Sequence, residues 1–210
     1  MTYTNRQQAG AVLASELRKF IDDSPVVLGL PRGGVPVASA IADALRADLD
    51  IIVVRKLGVP HHRELAMGAI GEGGVEILND DVISSARVNS RDISITENLE
   101  LKELSRRAAE FREGAPPIPL LGRIAIVVDD GIATGATAAA ACEVARAHNA
   151  RKVVLAAPVA ASQAIERLRD HCDAVVCPLI TPDLGAVGLW FQDFHQVPDA
   201  EVIEILRAHR

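Results

Sequence analysis

Short runs of β-branched apolar residues alternate along the chain with longer stretches in which apolar positions recur every three or four residues. The segments "PVVLGL" (25–30), "DIIVVRK" (50–56), "RIAIVVDD" (123–130), "KVVLAAP" (152–158) and "AVVCPL" (174–179) read as strands, and residues 35–47, 137–149 and 162–170 as helices. Strands that are apolar throughout, rather than at every second position, are covered on both faces, the arrangement reached when helices connect parallel strands. The pattern predicts an α/β fold, a three-layer α/β/α core with a mainly parallel central sheet.

Two regions break this rhythm. Residues 57–79, "LGVPHHRELAMGAIGEGGVEILN", are rich in glycine and carry Pro60 and a His pair, so 57–74 reads as a long mobile loop leading into a short strand at Val75 to Leu78. The polar candidates within it are His61, His62, Arg63, Glu64 and Glu72. Residues 91–113 place Leu104, Ala108 and Phe111 at helical spacing among charges, ahead of Gly114 and Pro116, which predicts an amphipathic helix with a structural job.

Composition narrows the functional classes. The 210 residues are 49% hydrophobic with a formal net charge of −6, enough for one substantial domain plus an appendage and contrary to a general nucleic-acid-binding surface. A local basic pocket for a phosphorylated ligand stays compatible with that charge. Cys142, Cys172 and Cys177 have neither CxxC spacing nor an even count, which argues against a zinc site and a disulfide framework and fits a reducing cytoplasm. The polar N-terminus lacks the features of a signal peptide, and no apolar run reaches the roughly 18 residues a membrane span needs. A cytoplasmic protein without membrane contact is expected.

The chemistry concentrates in "IAIVVDDGIATGAT" (124–137), where a buried strand ends in two adjacent acids and a loop with few side chains. Gly131, Ala133, Gly135 and Ala136 leave backbone N–H groups free to close around an anion, Thr134 and Thr137 add hydroxyls, and a helix N-terminus follows at once. That is a phosphate cup. It lacks the lysine of the ATP-type P-loop and the GxGxxG of a dinucleotide fingerprint. Asp129 and Asp130 lie at the C-terminal end of the strand, where open α/β sheets bind ligands. Carboxylates beside a phosphate make sense if they accept hydrogen bonds from the hydroxyls of the attached sugar and stabilise positive charge developing on it. Helix capping at a surface turn is the plainer alternative.

The stretch "VVDDGIATGAT" (127–137) resembles the phosphoribosyl-pyrophosphate (PRPP) signature of the type I phosphoribosyltransferases. The resemblance implies that Asp129 and Asp130 hold the ribose 2′ and 3′ hydroxyls and that Ala133, Thr134, Gly135, Ala136 and Thr137 hold the 5′-phosphate. Gly131 departs from the aliphatic residue usual there. Upstream, "GLPRGGVPVASAIA" (29–42) resembles the family's pyrophosphate loop, implying pyrophosphate contacts at Arg32, Gly33 and Gly34, and "VVRK" (53–56) stands where the family sets a basic residue, a role shared by Arg55 and Lys56. The three stretches follow the family's order along the chain. By the same resemblance 57–74 is the flexible loop that closes over the reaction, with Glu64, Glu72, His61 or His62 as its potential acid or base. The segment "DLGAVGLWFQDFHQVPDAEVIEIL" (183–206) is similar to a C-terminal hood whose Trp190 and Phe191, with Phe194, stack on a base, although an aromatic cluster closing a small lobe reads equally well. The "AVG.W..DF" pattern resembles a bacterial phosphoribosyltransferase group of unassigned substrate.

These likenesses imply a core at 1–180, including the loop 57–74 and the inserted helix 91–113, and a hood at 181–210. They imply transfer of ribose 5-phosphate from PRPP to a nitrogenous base with release of pyrophosphate, Mg²⁺ held mainly through PRPP, and a homodimer, as is common in the family. Ala133 replaces the acid typical of 6-oxopurine enzymes, and the resulting Ala-Thr-Gly resembles adenine-type enzymes, whose loop acid aligns with neither Glu64 nor Glu72. The competing reading is a non-catalytic PRPP- or nucleotide-binding regulatory protein.

Overall fold

The computed structural model describes residues 2–210, apart from the side chains of Arg63 and Glu64. The chain opens with α1 (Arg6–Leu17), β1 (Val26–Gly29), α2 (Gly34–Leu45) and β2 (Asp48–Ile51). A ribbon of β3 (Val54–Val59), β4 (His62–Gly71) and β5 (Val75–Leu78) follows, then α3 (Asp80–Ser85) and α4 (Ser90–Phe111). The second half comprises β6 (Ile124–Val128), α5 (Ala136–Ala147), β7 (Lys152–Ala156), β8 (Val159–Ala161), α6 (Ser162–Leu168), β9 (Ala174–Val176), β10 (Leu179–Thr181) and α7 (Asp199–Ala208).

The central sheet has the order β2-β1-β6-β7-β9, with each neighbouring pair parallel, and β8 and β10 form a small parallel pair of their own. Side chains alternate between its two faces. Val27, Ile124, Ile126, Val128 and Val154 pack with Leu13 and Leu17 of α1, Ile41 of α2, Leu104 of α4 and Leu206 of α7. Val26, Leu28, Ala125, Val127, Val153 and Leu155 pack with Ala141 and Val144 of α5 and Ile165 of α6. The expected three layers are therefore present, and β6 is the centre of the sheet, so its C-terminal end lies between helices on every side. Helix α1 lies against α2 at a glycine: a Cβ on Gly10 would stand 2.5 Å from the Val37 carbonyl oxygen.

The stretch 57–74 differs from the mobile loop expected. It belongs to the antiparallel ribbon, β3 pairing with β4 from Val54↔Gly71 to Val59↔His62, and β4 pairing with β5. Two of its glycines, Gly68 and Gly71, are points of close approach, whereas Gly73 and Gly74 take positive φ in the turn before β5. A Cβ on Gly68 would meet the Ile77 carbonyl oxygen at 2.4 Å, and one on Gly71 would meet Val144 Cγ2 of α5 at 2.0 Å. The expected single strand 50–56 is also divided. Its first part stays in the central sheet as β2, and the remainder leaves at Ile52 to enter the ribbon.

A buried arginine marks the point of departure. Arg112, 5% exposed at the end of α4, donates from Nε to Asp50 Oδ1 at 2.8 Å, from one terminal nitrogen to Glu72 Oε2 at 2.6 Å, and from the other to the Ile51 carbonyl at 2.9 Å. Glu72 also accepts the Val53 N–H at 2.8 Å, and Asp50 accepts the Ile118 N–H at 2.9 Å. The cluster ties ribbon, α4 and sheet edge together and satisfies backbone groups that the sheet no longer pairs. Removing one partner leaves a charge buried without compensation, so Arg112→Ala is expected to destabilise the protein by about 3–5 kcal/mol in chemical denaturation; a loss below about 1 kcal/mol would mean that the cluster does not hold the ribbon.

Candidate active site

Three chain segments converge at the C-terminal ends of β1 and β6. After β6 the two acids emerge: the Asp129 N–H is donated to the Ala156 carbonyl at 3.2 Å, and Asp129 Oδ1 accepts the Asp130 N–H at 2.9 Å. After β1 the turn Leu30–Gly33 carries the chain into α2, with the Pro31–Arg32 peptide in the cis form. It lies against β6 at its two glycines. A Cβ on Gly34 would stand 2.4 Å from the Val128 carbonyl oxygen, and one on Gly33 would stand 2.0 Å from Asp130 Oδ2. The glycines therefore bring the expected pyrophosphate loop within contact of the acidic pair, and α2 begins there without a side-chain cap.

The loop expected to form the phosphate cup runs from Gly131 to the start of α5. Ile132 is buried and joins β8 through its N–H to the Val159 carbonyl at 2.9 Å, which pins the loop from below. Gly135 takes φ +81° at the N-cap of α5, a left-handed conformation suited to glycine, and no side chain caps the helix. Ala133, Thr134 and Ala136 are exposed, and Thr137 is half-buried. Exposed Ala133, Thr134 and Ala136 thus flank the uncapped start of α5. Gly131 has a spatial explanation: a Cβ there would lie 2.4 Å from Val187 Cγ1, so the residue that departs from the family pattern is where the C-terminal segment rests on the loop.

The acids differ in their surroundings. Asp130 Oδ2 accepts a hydrogen bond from Nε of Arg6 of α1 at 2.9 Å and forms an ion pair with one of its terminal nitrogens, also at 2.9 Å. Asp129 has no basic partner among the described residues, and burial, then the neighbouring Asp130, pushes its carboxyl up to about 8. Burial also raises Asp130, opposed by Arg6. Arg6 is a site residue that the sequence does not single out; it lies 124 positions from its partner in a segment without a recognisable motif.

The other expected residues are dispersed. Arg32 is half-buried, with a nitrogen 3.6 Å from Asp199 Oδ1 at the start of α7. Arg55 and Lys56 do not act as a basic pair at a strand end, because alternation along β3 sends them to opposite faces. Arg55 donates to Glu100 Oε2 of α4 at 2.7 Å and serves as a strut. Lys56 is exposed and lines a cavity of about 590 Å³ shared with Ala136, Ala139 and Glu143 of α5. Glu72 is occupied by Arg112 and is a structural residue, in place of a loop acid or base. His61, with φ +66°, and His62 are exposed at the tip of the β3–β4 hairpin, while the Glu64 side chain lies outside the described residues.

Phe191 is likewise corrected. It is 7% exposed and packs on Tyr3, with ring centroids 5.6 Å apart, and on Phe194, at 5.0 Å, so it closes the small lobe and is not presented to a ligand. Trp190 is half-buried and its indole N–H is donated to the Leu184 carbonyl at 2.9 Å. A large apolar side chain that this segment exposes is Leu189, at 72%.

Residues 3–189 match the family model described as the phosphoribosyl transferase domain, and the chain belongs to that family. Two Mycobacterium tuberculosis sequences, from strains CDC 1551 / Oshkosh and ATCC 25618 / H37Rv and each named "Putative phosphoribosyl transferase", are 53% identical over 210 residues, which cover 99% of this chain and 47% of theirs. The chain thus spans about half the length of the curated relatives it matches. The crystal structure of TT1426 from Thermus thermophilus superposes with a TM-score of 0.87 at 40% identity, covering 98% of both chains. AQ2163 from Aquifex aeolicus shares the fold, at TM-score 0.51 and 13% identity over 83% of this chain and 74% of its own.

The elevated Asp129 carboxyl has a consequence for stability. In the unfolded chain this group ionises near pH 4, whereas the folded protein holds the proton until about pH 8, so the group favours folding below pH 4 and that contribution is lost as pH rises to 8. Asn cannot ionise. Asp129→Asn is therefore expected to raise Tm at pH 8 by ~3 °C or more, with the gain vanishing below about pH 4; an unchanged or lower Tm at pH 8 would mean that the carboxylate is better accommodated than its burial implies.

Proposed function

We propose that this chain is a phosphoribosyltransferase that transfers the ribose 5-phosphate of PRPP to a nitrogenous base and releases pyrophosphate. The observation that carries the reading is the convergence of a phosphate cup, an acidic pair and a glycine turn at the ends of two adjacent parallel strands, in a member of the phosphoribosyl transferase domain family. In this reading the uncapped N-terminus of α5, with Ala133, Thr134, Gly135, Ala136 and Thr137, binds the 5′-phosphate. Asp129 and the free oxygen of Asp130 accept the ribose hydroxyls. Arg32, Gly33 and Gly34 meet the pyrophosphate; Lys56 is the remaining cation of the VVRK stretch, since Arg55 is held by Glu100.

The chemistry follows from placement and charge. As the bond between C1 and pyrophosphate breaks, positive charge grows on the ribose ring, and carboxylates aimed at that ring stabilise it without reorganisation. A half-buried acid without a cation, such as Asp129, suits that role, because its negative charge is costly in the empty protein and is compensated as the ring becomes cationic. The hard oxygens of PRPP itself suit Mg²⁺, which would be held mainly through the substrate and would neutralise the departing pyrophosphate. The acceptor is a nitrogen nucleophile of a nucleobase-like molecule. The three free cysteines support a reducing, cytoplasmic setting.

Two results test this directly. Asp129→Asn and Asp130→Asn should each reduce pyrophosphate release from Mg-PRPP, assayed against a panel of bases, by roughly 10²–10³-fold; full turnover in both would remove the acids from the reaction. Gly33→Ala, whose methyl would occupy the space of Asp130 Oδ2, should weaken PRPP binding in titration calorimetry by at least about tenfold, the effect of losing one charge-assisted hydrogen bond. Unaltered binding would show that Gly33 and Asp130 do not share the ligand.

A further inference from the structure

The guanidinium of Arg6 has more partners than an ion pair requires. It is buried, at 6% exposure, and three parts of the fold meet on it. Two of its nitrogens hold one oxygen of Asp130, and a third nitrogen donates to the His195 carbonyl at 2.9 Å. Its carbon lies 3.9 Å from the ring centroid of Phe194. The C-terminal segment that supplies Phe194 and His195 also sets Val187 against Gly131 in the phosphate loop and pairs with the N-terminus, where Trp190 accepts the Tyr3 N–H at 2.8 Å. Hood, helix α1 and acidic pair are thus joined through a single side chain.

From this juxtaposition we infer that Arg6 is a positioning residue that couples the C-terminal hood to Asp130. The guanidinium occupies Oδ2, which leaves Oδ1 for the ligand, and its positive charge offsets that of the Asp130 carboxylate beside a bound phosphate. A planar guanidinium is needed because it bonds a carboxylate and a carbonyl in its own plane while its face rests on an aromatic ring, a combination an ammonium cannot reproduce. A shift of residues 194–195 alters what Arg6 can offer Asp130, and loss of the Asp130 charge loosens the grip of Arg6 on the hood. The inference rests on the proposed PRPP site for its effect on ligand, whereas the coupling itself is observable without ligand.

Trp190, the single tryptophan of the chain, lies within the hood and reports on it. Asp130→Asn and Arg6→Gln should each shift Trp190 emission or quenching in the ligand-free protein, and in the double variant the shifts should not add. In titration calorimetry with Mg-PRPP, Arg6→Gln should bind about 10–100-fold more weakly than the native protein, with Arg6→Lys in between, because it restores charge but not the fork. Far-UV circular dichroism establishes that the variants fold. Should Arg6→Gln unfold, Phe194→Leu, which removes the ring beneath the guanidinium together with its contact on Phe191, must still weaken PRPP binding. Native protein that ignores Mg-PRPP while Asp130→Asn still perturbs Trp190 would overturn the proposed function and leave the coupling standing. Tight PRPP binding together with a Trp190 signal indifferent to Asp130→Asn would overturn the coupling alone.

Discussion

One carboxylate bears on most of the site. Asp130 stands where a Cβ on Gly33 would be, is hydrogen-bonded and ion-paired to Arg6, and lies two residues beyond the strand at the centre of the sheet. The glycine turn, helix α1 and the C-terminal segment are each arranged so that this group can sit, charged, at the edge of a hydrophobic core. Burying an acid there is unfavourable unless it is paired, and the pairing cation is itself buried and held by a carbonyl and an aromatic ring. Its neighbour Asp129 has no such compensation, and its raised proton affinity records the cost. An acidic pair of this kind is a local conflict of the sort found where structure is shaped for binding rather than for stability.

The rest of the fold supplies rigidity around that conflict. Strands β1, β6 and β7 pair in register along their length, and their side chains feed two separate apolar layers. The ribbon β3–β5 is not a free flap at its base, since Arg112, Asp50 and Glu72 bind it to the sheet edge and Gly71 lets it lie on α5. Its tip, around Pro60 and His61, lines a cavity together with Asp92, Ile95 and Leu99 of α4.

The sequence makes some of this visible and conceals the rest for identifiable reasons. The parallel core is legible because its strands are uninterrupted runs such as "IAIVV", and the cup because small residues and threonines directly precede a helix. Helix α1 is hard to see: its buried face consists of Arg6, Ala9, Gly10, Leu13, Ala14 and Leu17, where an arginine and small residues dilute the apolar signal. The ribbon reads as a mobile loop because glycine marks both looseness and close packing, and only the neighbours Ile77 and Val144 distinguish them. The division of 50–56 turns on Arg112 and Glu72, which lie far along the chain. Phe191 could have faced a ligand or a core, and Tyr3, at the other end of the sequence, decides for the core.

The central claim is that the acidic pair holds the hydroxyls of a pentose whose phosphate lies in the cup. Titration of the native protein with ribose 5-phosphate and with 2-deoxyribose 5-phosphate tests it most directly, because the two ligands share the phosphate and differ by one hydroxyl. The account predicts that ribose 5-phosphate binds about 10–100-fold more tightly, the difference expected for a hydrogen bond to a charged group. Equal affinities would contradict it, leaving a phosphate site whose neighbouring acids do not read the sugar.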